Sequence, residues 1–182
     1  MPGVNHPLDF ARTGEFSPPK TPFSGVHFSD SDISGGVLHG ARRGSSPQAS
    51  DAHRVKLGRG APSGVHAYHA GHVAHPSIAS RKNAVGISGD KAIADIDGAA
   101  RAMWATALTQ SFKENVANGV DPAMAKALAA NSAEHALLEA GYDGYEASKH
   151  QPGSVFLFGD QKIDKAQNQN ETKNSSSDTA AV

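Results

Sequence analysis

Four consecutive residues, Val155-Phe156-Leu157-Phe158, constrain this chain most. They are large and apolar, bounded by Gly153 and Gly159, in a protein that is otherwise polar and glycine-rich. Successive side chains of a strand point to opposite faces, so a strand with no polar position must be covered on both sides. A core is therefore expected here, with a layer packed on each face. The residues before it, Gly141-Tyr142-Asp143-Gly144-Tyr145, read as the end of a helix, a glycine turn and a short strand.

At 182 residues the chain is long enough for one domain. Hydrophobic residues make up 38% of it, below the roughly 45–50% of ordinary globular domains. The shortfall lies largely at the two ends. Residues 1–24 form a loop-rich segment with five prolines and room for a first strand, and 25–163 form a single α+β domain. From 164 to 182 the chain is Gln, Asn, Lys, Ser and Thr, which bury too little surface to offset ordering entropy, so a disordered tail is expected. A formal net charge of -1 provides no field toward nucleic acid or a membrane surface. No apolar run reaches the length of about 18 residues that a membrane helix needs. The N-terminus lacks the basic-then-apolar order of a secretory signal. With no cysteine, disulfides, thiol catalysis and cysteine-ligated zinc are excluded.

Between the ends, Gly25-Val26-His27-Phe28-Ser29 alternates as a short strand, and Asp30-Ser31-Asp32 offers a turn or a helix cap. His53-Arg54-Val55-Lys56-Leu57 alternates as a second strand, closed by Gly58 and Gly60. Residues 61–89 read as irregular, with His66, His69, His72 and His75 at every third position. On a helix such imidazoles share a face and can hold a metal, but Gly64, Gly71 and Pro76 discourage a helix, so a polar loop is the plainer reading. A helix capped by Ser88 or Asp90 is expected from Lys91 to about Asn118, with Ile93, Ile96, Ala100, Met103, Trp104, Ala107, Leu108 and Phe112 as its apolar stripe. Gly119 stops it. Asp121-Pro122 starts a second helix as N-cap and first-position proline, with Met124, Leu128, Ala129, Ala133, Leu137 and Leu138 facing inward. Strands and helices are segregated, which makes the class α+β.

The C-terminal pattern resembles toxin-type mono-ADP-ribosyltransferase domains of bacterial effectors and phage proteins. The resemblance is carried by Gly141-Tyr142-Asp143-Gly144, the apolar strand, and Gln161-Lys162-Ile163. Weaker similarity extends to Val4-Asn5-His6 and to Gly25-Val26-His27-Phe28-Ser29-Asp30. It implies an ADP-ribosyltransferase-like fold of split β-sheets with two helices, NAD as cofactor, and a monomer that modifies a protein target; the Ser/Gly/Pro-rich first quarter and the lack of cysteine fit delivery to another cell, with a cytoplasmic place as the alternative. On that reading His6, Gly25, His27, Phe28, Ser29 and Tyr142 hold the cofactor in a cleft near Phe28 and Phe156. Catalysis requires an anionic group to stabilise the ribose cation that develops as nicotinamide leaves. Ser154 stands about where the family carries that glutamate, so Glu146, Asp160 and Gln161 are the remaining polar candidates. Pro7 replaces a glycine after His6, and the tyrosine expected about ten residues past Phe28 is missing. Three readings follow: an active transferase, a catalytically inactive domain of the same fold that binds a protein, and a metal module built on the four histidines. The plain alternative for Tyr142-Asp143-Gly144 is a strand-linking turn in which Asp143 bonds backbone amides.

Overall fold

The computed structural model describes residues 16–31, 33, 35–41, 60–72 and 74–164, with the backbone of 166–168. The strands are β1 (Thr21–Ser29), β2 (Val37–Leu38), β3 (Gly64–His69), β4 (Asn83–Lys91), β5 (Ile93–Asp95), β6 (Gly144–Glu146), β7 (Ser154–Phe158), β8 (Gln161–Lys162) and β9 (Ala166–Asn168). The helices are α1 (Pro76–Ala79), α2 (Arg101–Ala117) and α3 (Pro122–Glu139). Six strands form a mixed sheet in the order β5-β6-β7-β3-β1-β4, with β9 added at the β4 edge and β2-β8 as a separate pair. Only β5 and β6 run parallel in that sheet. The fold is α+β, as the segregation of elements predicts.

The apolar run is buried on both faces. Val155 and Leu157 point to a cluster with Phe23, Val65, Ala67 and Ile87, enclosed by the sheet. Phe156 and Phe158 point the other way, into a cluster with Tyr145, Met103, Leu137 and Ala140, where α2 and α3 cover the sheet. β7 is paired along its length with β3 on one side and with β6 on the other.

One residue closes the sheet. Ala92 alone separates β4 from β5, yet β4 pairs with β1 and β5 with β6, at opposite ends of the order. A single continuous segment thus supplies both ends, and the sheet must curl round to accommodate it. Asp143 grips the bend. Its carboxylate accepts from the Ala92 N–H at 2.7 Å. Its own N–H donates to the Ala92 carbonyl, and its carbonyl accepts from Phe158 N–H, both at 2.8 Å. Gly144 follows because a Cβ there would lie 2.4 Å from the Phe156 carbonyl oxygen. Tyr142 packs on Phe16 instead. The Gly-Tyr-Asp-Gly motif is therefore accounted for by chain geometry.

Both long helices end as expected. Gly119 and Gly141 adopt positive φ of 81° and 95°. At each, the glycine N–H and the next N–H return to carbonyls of the last turn, as Val116 and Asn115 accept in α2, and Leu138 and Leu137 in α3. The Asp121 carboxylate caps α3 by accepting from Ala123 and Met124, with Pro122 at the first position. Ala129, Ala133 and Leu137 are buried, but Leu138 is exposed. Their place in the core is shared by Ala125 and by Glu134, a fully buried carboxylate that accepts from the Tyr145 hydroxyl at 2.6 Å.

Three sequence expectations require correction. The helix expected from Lys91 begins only at Arg101, and neither Ser88 nor Asp90 caps it. Asn83–Lys91 and Ile93–Asp95 are strands instead, because β4 finds an unbroken antiparallel partner in β1, from Asn83↔Ser29 to Lys91↔Thr21, and β5 pairs with β6. Residues 61–89 are not irregular but hold β3, α1 and most of β4. The strand begins at Thr21, four residues before Gly25. The expected strand at 53–57 and most of the 164–182 tail lie outside the described residues; within them, Ala166–Asn168 pairs with β4. Among the described residues no helix is long and apolar enough to cross a membrane.

The Asp143 clamp gives a stability test. Asp143→Ala strands a buried N–H at the bend and is expected to cost about 2 kcal/mol in urea denaturation. Lys20 lies 3.3 Å from the same carboxylate but is mostly exposed, so Lys20→Ala is expected to cost less than ~0.5 kcal/mol. Equal losses from the two would mean that the carboxylate acts through its ion pair and not through Ala92.

Candidate functional site

The strand period decides where the four histidines go. Residues three apart on a strand face opposite sides, so His66 and His69 of β3 part company. His66 packs against Phe156 on the helix-side face, ring centres 5.0 Å apart. His69 points to the enclosed face, where Nε2 meets Glu146 Oε2 at 2.5 Å. His72 lies parallel to the Tyr68 ring, in space that a Cβ on Gly153 would occupy. His75 caps α1, accepting from Ser77 N–H. Among the described residues no cluster of three or more His, Cys, Asp or Glu is placed to hold a metal ion.

A cleft of about 460 Å³ opens where β1 and β3 separate. Their ladder pairs Gly25 with His69 and Val26 with Tyr68. Beyond that point, Nδ1 of His27 reaches the His66 carbonyl at 2.6 Å in place of a backbone bond. The cleft is lined by His27 and Phe28 of β1, His66 and Tyr68 of β3, Ser154 of β7, Ile78 of α1, Arg81, Gln151 and Pro152. Phe28 and Tyr68 meet edge to face at 6.0 Å. Arg81 donates to the Phe28 carbonyl at 3.2 Å and has no carboxylate partner among the described residues. Among the described residues no acidic side chain lines the cleft.

Two aspartates outside the cleft position its rim. Asp97 accepts from the N–H groups of Lys149 and His150 and from Nδ1 of His150. Asp95 accepts from the Ser148 hydroxyl at 2.7 Å. These bonds hold residues 148–150, which lead directly into Gln151 and Pro152. Desolvation raises both carboxyls, but the hydrogen bonds outweigh it and hold them below the usual aspartate value.

The His27 tautomer follows from its partner. A carbonyl can only accept, so Nδ1 carries the proton and the neutral ring presents its lone pair at Nε2. Burial pushes the imidazole below its ordinary value, the bond to His66 opposes this, and the charge of Arg81 lowers it further.

The sequence-predicted residues are only partly brought together. His27, Phe28 and Ser154 line the cleft. Gly25 sits behind it, tight against the Phe23 ring and the Tyr68 carbonyl oxygen. Glu146 pairs in register with Val155, not Ser154, and so faces the enclosed side, held by His69. Asp160 is exposed, held below the usual carboxylate value by the Gly40 N–H and by His39. Gln161 is buried, donating to the Phe158 carbonyl and accepting from Lys91. Ser29 accepts from Ser31 N–H in a local turn, and Tyr142 packs on Phe16, its hydroxyl raised by burial. His6 lies outside the described residues. Sequence reasoning missed His66 and Tyr68 as strand residues, although Val65-His66-Ala67-Tyr68 alternates. It also missed Arg81 and Gln151, which carry no local signal.

No protein-family model matches the chain, and neither a curated protein nor a solved structure is significantly similar to it.

Two measurements probe this geometry. The unfolded His27 titrates near 6.5 and the folded one lower, so the unfolded state binds more protons in the window below 6.5. Stability is therefore expected to fall as pH drops through that window and to be independent of His27 above it. His27→Asn, which retains a donor to the His66 carbonyl, should flatten that slope in denaturation at graded pH; an unchanged slope would remove His27 as its source. Asp97→Ala should speed amide hydrogen exchange at Lys149 and His150 while leaving β4 protected; unaltered exchange would show the rim to be held by other bonds.

Proposed function

We propose that this chain is an ADP-ribosyltransferase-like domain that binds NAD in the cleft between β1 and β3 and carries out transfer poorly or not at all. The observation that carries the reading is the lining of the cleft. Aromatic faces at Phe28 and Tyr68 suit a stacked planar base. Arg81 suits a phosphate, and Ser154, Gln151 and His27 supply directional hydrogen bonds. The position near Phe28 and Phe156 is the one the C-terminal resemblance implies. A split-sheet architecture of the ADP-ribosyltransferase kind fits a β1–β3 ladder that stops at Val26↔Tyr68.

The same lining argues against efficient transfer. A ribose cation needs a preorganised anion, and losing one typically costs roughly 10²–10³-fold in rate. Ser154 is neutral, Glu146 faces away toward His69, and Asp160 is bound to Gly40 and His39. A domain that binds nucleotide without turning it over would act through a protein partner, as a secreted effector delivered to another cell.

Titration of the purified chain with NAD, together with labelled NAD added to cell lysate, tests this. Saturable binding without labelled protein is expected. Arg81→Ala should weaken binding by about tenfold to a hundredfold, the loss of a charge-assisted contact. Labelling that disappears in Glu146→Ala would instead establish an active transferase in which the glutamate turns into the cleft. Absence of NAD binding would sink the cofactor reading.

A further inference from the structure

The cleft combines a permanent cation with a base whose tautomer is set by the fold. Arg81 is half-buried, with one N–H group committed to Phe28 and no carboxylate neighbour among the described residues. A guanidinium has five donors, so capacity remains. His27 is half-buried, with Nδ1–H directed to the His66 carbonyl. Among the described residues Nε2 of His27 has no hydrogen-bond partner.

We propose that the cleft is a proton-linked anion site, in which a phosphate or pyrophosphate group docks on Arg81 and a proton from solvent is taken up on Nε2 of His27. The inference rests on the nucleotide reading only for the source of the anion.

The groups facing His27 make the linkage directional. The His66 carbonyl of β3 accepts from Nδ1 and the Arg81 charge after α1 acts on the ring; the His66 and Tyr68 side chains and the uncharged Ser154 and Gln151 line the same cleft, and the apolar Val85 of β4 pairs with His27 in register. Among the described residues Arg81 is the one permanently charged side chain in the lining, and with no anion bound the burial of the ring and the charge of Arg81 both oppose protonation of His27. An anion on Arg81 cancels its charge and offers the protonated ring a charge-assisted hydrogen bond. Binding therefore promotes protonation, and by reciprocity protonation tightens binding. No covalent bond changes; one proton moves from solvent to Nε2 and returns when the anion leaves.

The experiment is calorimetric titration of the full chain with pyrophosphate and, separately, with NAD, in two buffers of equal pH and different ionisation enthalpy. Proton uptake on pyrophosphate binding is expected near neutral pH. Affinity should rise roughly tenfold from about pH 8 to about pH 6. His27→Asn should abolish the uptake and flatten the pH dependence while retaining weaker binding, and Arg81→Gln should remove pyrophosphate binding and weaken that of NAD, with circular dichroism showing both variants folded. Pyrophosphate binding without proton uptake, or uptake that persists in His27→Asn, overturns the proposal. NAD binding without uptake overturns it while leaving the nucleotide reading in place. Pyrophosphate binding with uptake but no NAD binding sustains it while removing that reading, and failure of both probes removes both.

Discussion

The bend at Ala92, gripped by Asp143, is the constraint on which the rest of the structure depends. Without it the segment 83–95 would leave the sheet after pairing with β1. With it, the same segment returns as β5 beside β6 and draws the two ends of the sheet together. Three consequences follow in space. The enclosed cluster around Leu157 and Ile87 is shielded from solvent. Tyr145 is presented to α2 and α3, where it meets Trp104 and the buried Glu134. Asp95 and Asp97 are placed where they can take hold of residues 148–150.

The cleft depends on a different feature, the early end of the β1–β3 ladder. A sheet face has little concavity of its own. Here the strands diverge after Val26↔Tyr68, and His27 bonds the His66 carbonyl with a side chain instead of a backbone group. The opening is walled by α1 and Arg81 on one side and by the 151–152 turn on the other. Aromatic rings, one guanidinium and neutral hydrogen-bonding groups line it, and among the described residues no carboxylate does. One glutamate lies close to the cleft in sequence order but faces away from it. Glu146 lies on the strand next to Ser154, yet register with Val155 sends it to the opposite side of the sheet.

Much of the architecture was legible in local signals, and these were of one kind. Burial of Val155–Phe158 on both faces followed from four apolar residues without a polar alternate. The ends of α2 and α3 followed from Gly119, Gly141 and Asp121-Pro122, because cap geometry is satisfied within a few residues. The helix predicted from Lys91 failed because Ile93, Ile96 and Ala100 match a helical stripe as well as a strand followed by a turn. Only pairing with β1 and β6 separates the two, and those partners lie far away in sequence. The reading of the histidine series as a polar loop failed for a related reason: His66 and His69 belong to a strand whose partners β1 and β7 are distant in sequence, and on a strand a spacing of three means opposite faces.

What the sequence by itself determined is the α+β class, the doubly buried strand, and the capped ends of two helices, since each is specified by neighbours along the chain. Tertiary structure alone decided that Gly-Tyr-Asp-Gly serves as a clamp on Ala92, that His27, Tyr68, Arg81 and Ser154 share one cleft, and that Glu146 and Gln161 do not. Those outcomes depend on strand register and on which strands become neighbours. Both are set by contacts between residues far apart in sequence, and a shift of one residue in register sends every side chain to the other face.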